Sequence, residues 1–218
     1  MSKRALAWTA GVALVVALIS VLAFDRGIAE AVRNSGIESA TIVVRLRGFF
    51  DILTGSALPQ SYSKFDHLLL GAALIAIGAL WLLLRRTNAT ARALVFTGIV
   101  QLGTIEAGSL FKAVFGRLRP YQLLERGDWS HIWFAGGNSF PSGHVAFFWG
   151  LFLPLAYLYP KYRIPLLAVP VFIAFARIDE NVHFLSDVLG SIALACIVTL
   201  IAAVLFARWI RPAASAKS

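Results

Sequence analysis

The sequence predicts an all-α membrane protein, because it is too apolar for a soluble domain and its apolar residues form long, separate runs. Of the 218 residues, 59% are hydrophobic and 14% are charged, and the mean hydropathy is +0.76. Soluble domains contain about 25% charged residues, and about twenty apolar residues cross a bilayer as a helix. The length suits one compact domain over residues 1–218. The predicted fold is therefore a six-transmembrane-helix bundle, with interfacial helices in the outer loop between spans one and two.

Six apolar runs are predicted to cross the membrane. The fifth run is short and contains Pro165 and Pro170, so it spans only if flanking residues extend it. The sixth contains small residues such as Gly190 and Ala193, which permit close helix packing in lipid. The six runs are residues 5–24, 67–84, 93–111, 145–160, 164–178 and 188–210.

The basic residues orient these spans. If the N-terminus is inside, ten of the twenty Lys and Arg residues face the cytoplasm, together with none of the eleven Asp and Glu residues. Short basic loops stay cytoplasmic, so both termini are predicted to lie inside. The inner basic residues are Lys3, Arg4, Arg85, Arg86, Arg92, Lys161, Arg163, Arg208, Arg211 and Lys217.

An alternative is a cleaved signal peptide, with Lys3 and Arg4 before the apolar run and a small-residue site at residues 21–23. We favour retention of this segment, because cleavage would leave five spans and reverse the charge pattern. The predicted location is a bacterial inner membrane.

The outer segment after span one contains Ile42, Leu46, Phe49 and Leu53 near helical spacing. This pattern predicts an amphipathic helix at the headgroup level, the alternative being a loop helix packed on the bundle. Between spans three and four, four aromatic side chains favour contact with lipid. They are Tyr121, Trp129, Trp133 and Phe134.

The net charge of +9 does not indicate a nucleic-acid partner, because the basic residues lie between apolar runs and not on one soluble face. The single Cys196 excludes a disulfide framework and a cysteine-rich metal site. We interpret it as a small buried apolar residue. Oligomeric state is left open by the sequence.

Three polar blocks interrupt the apolar chain, and the predicted topology places all of them at the outer ends of spans. Two of the blocks supply three cations, Lys112, Arg119 and Arg177. Each cation alone could reach a lipid headgroup as an ordinary helix-end residue. Three together, on the side where basic residues are not needed for orientation, indicate a bound anion such as phosphate.

The block Pro141-Ser142-Gly143-His144 opens a predicted helix. Ser142 is a candidate N-cap, and Gly143 permits close backbone approach. A helix N-terminus attracts anions, although a capped helix with an incidental histidine is the alternative.

In the third block, His183 and Asp187 are four residues apart and would share a helix face. A carboxylate on one ring nitrogen leaves the other free as a nucleophile. Arg177 would lie on the wrong face of a continuous helix, so a turn at residues 179–181 is expected to bring it round.

Together, the patterns Lys-x6-Arg-Pro, Pro-Ser-Gly-His and Arg-x5-His-x3-Asp resemble the type 2 phosphatidic acid phosphatase family, which is related to vanadium-dependent haloperoxidases. One position departs from the family: Ala176 stands where the third motif has serine. The resemblance implies that this serine is an auxiliary group near the phosphate, so its absence is expected to affect the fine tuning of activity and not the class of reaction.

The resemblance implies a phosphohydrolase without metal or cofactor that acts on a membrane lipid phosphate. It implies that His183 is the nucleophile, that Asp187 orients it, and that His144 is the acid and base. The implied phosphate ligands are Lys112, Arg119, Ser142, Gly143 and Arg177. Expected substrates are phosphatidate, phosphatidylglycerol phosphate, undecaprenyl diphosphate or lipid A phosphates, cut at the periplasmic face.

Two other functions are weighed against this one. A lipid-phosphate binding or transport protein would not need the two histidines and the aspartate in catalytic spacing. A vanadate-dependent peroxidase would share the pocket chemistry, but the six predicted spans and the lack of a soluble body argue against it.

Glu106 lies inside the third span, where a carboxylate is costly and indicates function by default. It is interpreted either as a buried structural partner or as a determinant of substrate selectivity.

Overall fold

The computed structural model describes residues 1–35, 63–85 and 88–210, with the side chains of 63–67 left out. The secondary structure of these residues is helical, and no β-strand occurs in the described ranges. The all-α prediction is confirmed. The amphipathic helix expected around Ile42–Leu53 lies outside the described residues.

Six of the described helices follow the six apolar runs closely, and two shorter helices, Asp25–Ser35 and Pro120–Arg126, lie outside them. In chain order they are α1 (Lys3–Ala23), α2 (Asp25–Ser35), α3 (Ser63–Leu84), α4 (Ala89–Phe115), α5 (Pro120–Arg126), α6 (Gly143–Leu158), α7 (Arg163–Asp179) and α8 (Leu185–Leu205). A short 3-10 turn at Pro160–Tyr162 joins α6 to α7.

Three described stretches are long and apolar enough to cross a membrane: α1, the stretch Ala89–Arg126 that contains α4, and α8. The apolar part of α3 (Leu68–Leu84) and α6 are shorter. The predicted count of six spans therefore stays a prediction.

Local sequence explains where the helices begin and end. Ser2 caps α1 by accepting a 3.1 Å hydrogen bond from the Ala5 amide. Asn88 caps α4 by accepting from the amides of Thr90 and Ala91. At the other end of α4, Gly116 adopts a left-handed conformation (φ 48°) and its amide donates to the Lys112 carbonyl. This turn directs residues 117–119 back across the end of the bundle.

The centre of the bundle is formed by α4, α6 and α8. α1 packs along α8, α3 along α4, and α7 along α6. Leu6 of α1, Trp149 of α6 and Ala195 of α8 belong to one buried apolar cluster. Cys196 is fully buried in the same cluster, as the sequence suggested.

Small residues permit the close approach of α3 and α4. A Cβ atom added to Gly98 would lie 2.6 Å from the Gly71 carbonyl oxygen and 2.7 Å from Ile75 Cγ1. Because one of these atoms is backbone, a side chain at Gly98 can be accommodated only by moving the helices apart.

We predict that Gly98→Ala lowers stability by about 1–3 kcal/mol through overpacking. Gly11→Ala on α1 is the matched control, because its added Cβ would meet no atom within 4 Å. The control should keep or slightly raise stability, since alanine favours helix. Thermal unfolding of both variants in detergent measures this, and an equal Tm for the two would contradict the packing argument.

Candidate functional site

The three polar blocks lie at one end of the bundle, where α4 and α7 end and where α6 and α8 begin. The Ser142 amide donates to the Asp187 carbonyl at 3.3 Å, which joins the second block to the third. The Lys112 ammonium donates to the Asn138 carbonyl, which joins the first block to the segment leading into the second. Residues from all three motifs therefore surround one site.

His183 is a buried side chain directly before α8. The helix begins at Leu185 with Phe184 as its N-cap, so His183 is not helical and shares no helix face with Asp187. The pair nevertheless meets: His183 Nδ1 lies 3.6 Å from Asp187 Oδ2 and 3.5 Å from Ser139 Oγ. Because Nδ1 faces these acceptors, Nε2 is on the ring edge directed away from the carboxylate.

Burial lowers the pKa of His183 from 6.5 to about 3, and the nearby charges of Lys112 and Arg119 act in the same direction. Asp187 opposes this shift but does not cancel it. The imidazole is therefore neutral near pH 7, which is the state that a nucleophilic nitrogen requires.

The Asp187 carboxylate is completely buried and fully hydrogen-bonded. Its Oδ2 accepts from Ser139 Oγ at 2.5 Å and from the Phe184 amide at 2.9 Å. Its Oδ1 accepts from Arg117 Nη1 at 2.5 Å. These donors hold the carboxylate in one orientation beside His183.

Arg117 is a site residue that the sequence reasoning missed. It lies within the six-residue spacer of the first motif, is 1% exposed, and stacks between the rings of Trp133 and Phe184 at 4.3 and 4.1 Å. Besides Asp187, it donates from Nη2 to Asp25 Oδ2 at 2.7 Å.

Asp25 directly follows the first predicted span, and it is buried at the junction of α1 and α2. One signal in the sequence could have identified it: a carboxylate directly after an apolar span requires a partner.

Ser142 occupies the N-cap position of α6, as expected, but its side chain does not cap the helix. Its Oγ is buried and has no hydrogen-bond partner among the described residues. Gly143 is exposed, and a Cβ added there would lie 3.7 Å from Lys112 Cε. His144 follows in the first helical turn and is half-buried. The hydroxyl, the helix N-terminus and the Lys112 chain thus lie side by side.

Lys112 and Arg119 are half-buried, and both contact Asn138. Arg119 Nε donates to Asn138 Oδ1 at 3.0 Å, while Lys112 donates to the carbonyl of the same residue. Asn138 therefore holds the two cations together beside His183.

Arg177 lies in the last turn of α7, and the expected turn follows the end of the helix. Asn181 adopts a left-handed conformation (φ 53°), and the His183 amide donates to the Arg177 carbonyl at 3.2 Å. The Arg177 guanidinium is buried and forms a 3.0 Å ion pair with Glu180. Ala176, which replaces the motif serine, is buried beside it.

Glu106 is exposed on α4, so its interpretation as a buried structural partner is wrong. The aromatic loop also differs from expectation in part. Phe134 is 74% exposed and Tyr121 is 38% exposed, as lipid contact requires. Trp133 and Trp129 instead pack inward, against Arg117 and Phe184 respectively.

Among residues 1–35, 63–85 and 88–210, no cluster of three or more His, Cys, Asp and Glu side chains is arranged as a metal site.

The lowered pKa of His183 predicts that the folded protein loses stability as the pH is lowered. Above pH 6.5 the imidazole is neutral in both the folded and the unfolded chain. As the pH falls from 6.5 towards about 3, the unfolded chain gains a proton that the folded site rejects, so stability is lost over this window. Thermal unfolding between pH 7 and pH 4 should show a steeper loss of Tm for wild type than for His183→Asn. Parallel curves would contradict the assignment of a neutral buried imidazole.

Comparison with known proteins agrees with the motifs. The PAP2 superfamily matches residues 89–211, which contain α4 to α8 and all three polar blocks. Lipid A 1-phosphatase from Rhizobium johnstonii is 32% identical over 117 residues, covering 52% of this chain and 45% of the relative. Lipid A 1-phosphatase from Rhizobium etli is 32% identical over 119 residues, covering 53% and 50% respectively. The alignments thus span about half the length of these curated relatives, and no solved structure matches. The chain belongs to the PAP2 superfamily, the type 2 phosphatidic acid phosphatases predicted from its motifs.

Proposed function

We propose that this protein is a phosphohydrolase that removes phosphate from a membrane lipid through a phosphohistidine intermediate. The observation that carries the proposal is the setting of His183: a buried neutral imidazole, backed by Asp187 on Nδ1 and flanked by Lys112 and Arg119. The superfamily match and the names of the two relatives support the same activity.

In the first step, the Nε2 lone pair of His183 attacks phosphorus, and the bond from phosphorus to the lipid oxygen breaks. His144 donates a proton to the departing oxygen. Asp187 orients the imidazole and stabilises the positive charge that develops on it.

In the second step, a water molecule attacks the phosphohistidine. His144, now unprotonated, takes the proton of that water, and the bond from phosphorus to nitrogen breaks. Inorganic phosphate leaves and both histidines return to their starting states.

The phosphate oxygens are held by the groups that surround His183. Lys112 and Arg119 supply positive charge, and the start of α6 supplies the Gly143 amide together with the Ser142 hydroxyl, which has no hydrogen-bond partner in the described part of the chain. Such donors stabilise the charge that grows on the equatorial oxygens. Arg177 belongs to this set through its motif position, with its guanidinium steadied by Glu180.

We propose six spans with both termini cytoplasmic, which places the site at the periplasmic face of a bacterial inner membrane. Three candidate spans and two shorter apolar helices support a multi-pass arrangement. The exclusively basic inner segments support the orientation. A site at the outer helix ends suits a lipid whose tails remain in the bilayer.

The lipid A 1-phosphatase relatives make lipid A 1-phosphate the first substrate to test. Phosphatidate, phosphatidylglycerol phosphate and undecaprenyl diphosphate present similar phosphoryl groups, and the site contacts described above concern only that group. A lipid-phosphate binding or transport protein is the alternative, and it would retain the cations without turnover.

Purified protein should release phosphate from at least one of these four lipids in the presence of a chelator. His183→Ala should lower the rate at least about 10³-fold, because the nucleophile is lost. His131→Ala is the matched control, since His131 is an exposed histidine outside the site. Alkali-quenched wild type should carry acid-labile phosphate that the His183 variant lacks.

Two outcomes would contradict this proposal. Equal turnover by wild type and His183→Ala would exclude the phosphohistidine mechanism. Binding of the four lipids without any phosphate release would favour the binding protein.

Alanine variants of two buried serines separate a role in phosphate binding from a role in supporting the structure. Ser142→Ala should leave Tm unchanged or raised, because its Oγ has no hydrogen bond to lose within the described structure. It should nevertheless lower kcat/KM about tenfold, which corresponds to one lost hydrogen bond. Ser139→Ala should lower Tm as well as activity, because it removes the 2.5 Å bond to Asp187. Unchanged kcat/KM in Ser142→Ala would exclude this hydroxyl from the phosphate site.

A further inference from the structure

We propose that Asp25 is a positioning residue for the catalytic pair His183 and Asp187, and that it acts through Arg117. The inference rests on the proposed function and extends it beyond the matched region. Asp25 lies outside residues 89–211, so the N-terminal helices would complete a site whose other named parts all lie within the superfamily match.

A continuous chain of contacts joins Asp25 to Asp187. Asp25 Oδ2 accepts from Arg117 Nη2 at 2.7 Å, and Arg117 Nη1 donates to Asp187 Oδ1 at 2.5 Å. Ser186 reinforces the link on both sides: its Oγ accepts from Arg117 Nη1 at 2.6 Å and donates to Asp25. Its amide also donates to Asp25 Oδ1 at 3.1 Å.

Asp25 itself is held from α1. Ser20 Oγ donates to Asp25 Oδ1 at 2.6 Å, and both residues are buried. The carboxylate therefore has a fixed position relative to α1 and to the start of α8.

The guanidinium can serve both carboxylates because it is planar and has two terminal nitrogens. Its stacking between Trp133 and Phe184 fixes the plane in which those nitrogens point. Lysine has the same charge but a single terminal nitrogen, so it cannot keep the same two-sided geometry.

The charge balance has a consequence for catalysis. One guanidinium faces two carboxylates, so Asp25 offsets part of the positive charge that acts on Asp187. Without the Asp25 charge, Arg117 would pair with Asp187 alone. Asp187 would then stabilise less well the positive charge that develops on His183 as the phosphorus–nitrogen bond forms.

This effect belongs to the chemical step and not to substrate binding. The described contacts of Asp25 are with Ser20, Ser186 and Arg117, none of which is among the proposed phosphate ligands. A change at Asp25 should therefore alter kcat with little change in KM, whereas loosening of the whole site would alter both.

The test compares kcat, KM and Tm for wild type, Asp25→Asn, Arg117→Lys and the double variant, with whichever lipid phosphate the wild type hydrolyses. Phe96→Ala provides a stability control, because Phe96 is fully buried in an apolar cluster with Ala203 and Ile210, away from the polar blocks. We expect kcat of Asp25→Asn to fall about tenfold, which corresponds to about 1.4 kcal/mol of lost transition-state stabilisation. KM should stay within about twofold.

The double variant tests whether Asp25 acts through Arg117. If Asp25 acts through Arg117, Asp25→Asn should lower kcat much less in the Arg117→Lys background than in wild type. Additive losses would overturn the proposal that Arg117 carries the effect.

Other outcomes are also decisive. Asp25→Asn and Phe96→Ala are compared at equal loss of Tm. If kcat falls no further in Asp25→Asn than in Phe96→Ala, Asp25 has only a structural role and the inference is overturned. If Asp25→Asn does not fold, the test rests on Arg117→Lys. A folded Arg117→Lys variant with the kcat of wild type would overturn the inference. Absence of turnover by the wild type overturns the proposed function itself.

Discussion

One buried guanidinium, that of Arg117, holds together the parts of the chain that make the site. It contacts Asp25 after α1, Asp187 in α8, Trp133 in the loop before α6, and Phe184 at the start of α8. Removing one partner of a buried ion pair strands a charge and costs about 3–5 kcal/mol. The positions of these segments are therefore coupled, and the place of His183 depends on Arg117, whose side-chain hydrogen bonds go to none of the proposed phosphate ligands.

The site combines a buried imidazole with accessible cations. His183 and Asp187 are enclosed, so the imidazole is neutral and its orientation is fixed. Lys112 and Arg119 are half-buried and Gly143 is exposed, so an anion can approach from outside. In the proposed mechanism, the neutral imidazole and the surrounding positive charges act together, since both favour the attack of a nitrogen lone pair on a negatively charged phosphoryl group.

Backbone geometry at the end of α4 places the cations. Gly116 turns the chain, and a Cβ at Gly137 would lie 2.1 Å from the Arg117 carbonyl oxygen. Only glycine allows the two segments to approach so closely. The next residue, Asn138, consequently reaches both Lys112 and Arg119. The spacing of the first motif thus has a structural meaning, because the residues between its cations form the turn and carry Arg117.

The sequence by itself determined the all-α class, the superfamily and the convergence of three polar blocks, because hydropathy and motif spacing are local properties of the chain. It also indicated the turn between Arg177 and His183. Only the tertiary structure decided the surroundings of His183, the exposure of Glu106, and the pairing of Asp25 with Arg117 across 92 positions. That pairing left no periodic signal, since a buried ion pair depends on which segments meet in space. A partner distant in sequence is visible only once the fold has brought both charges out of water.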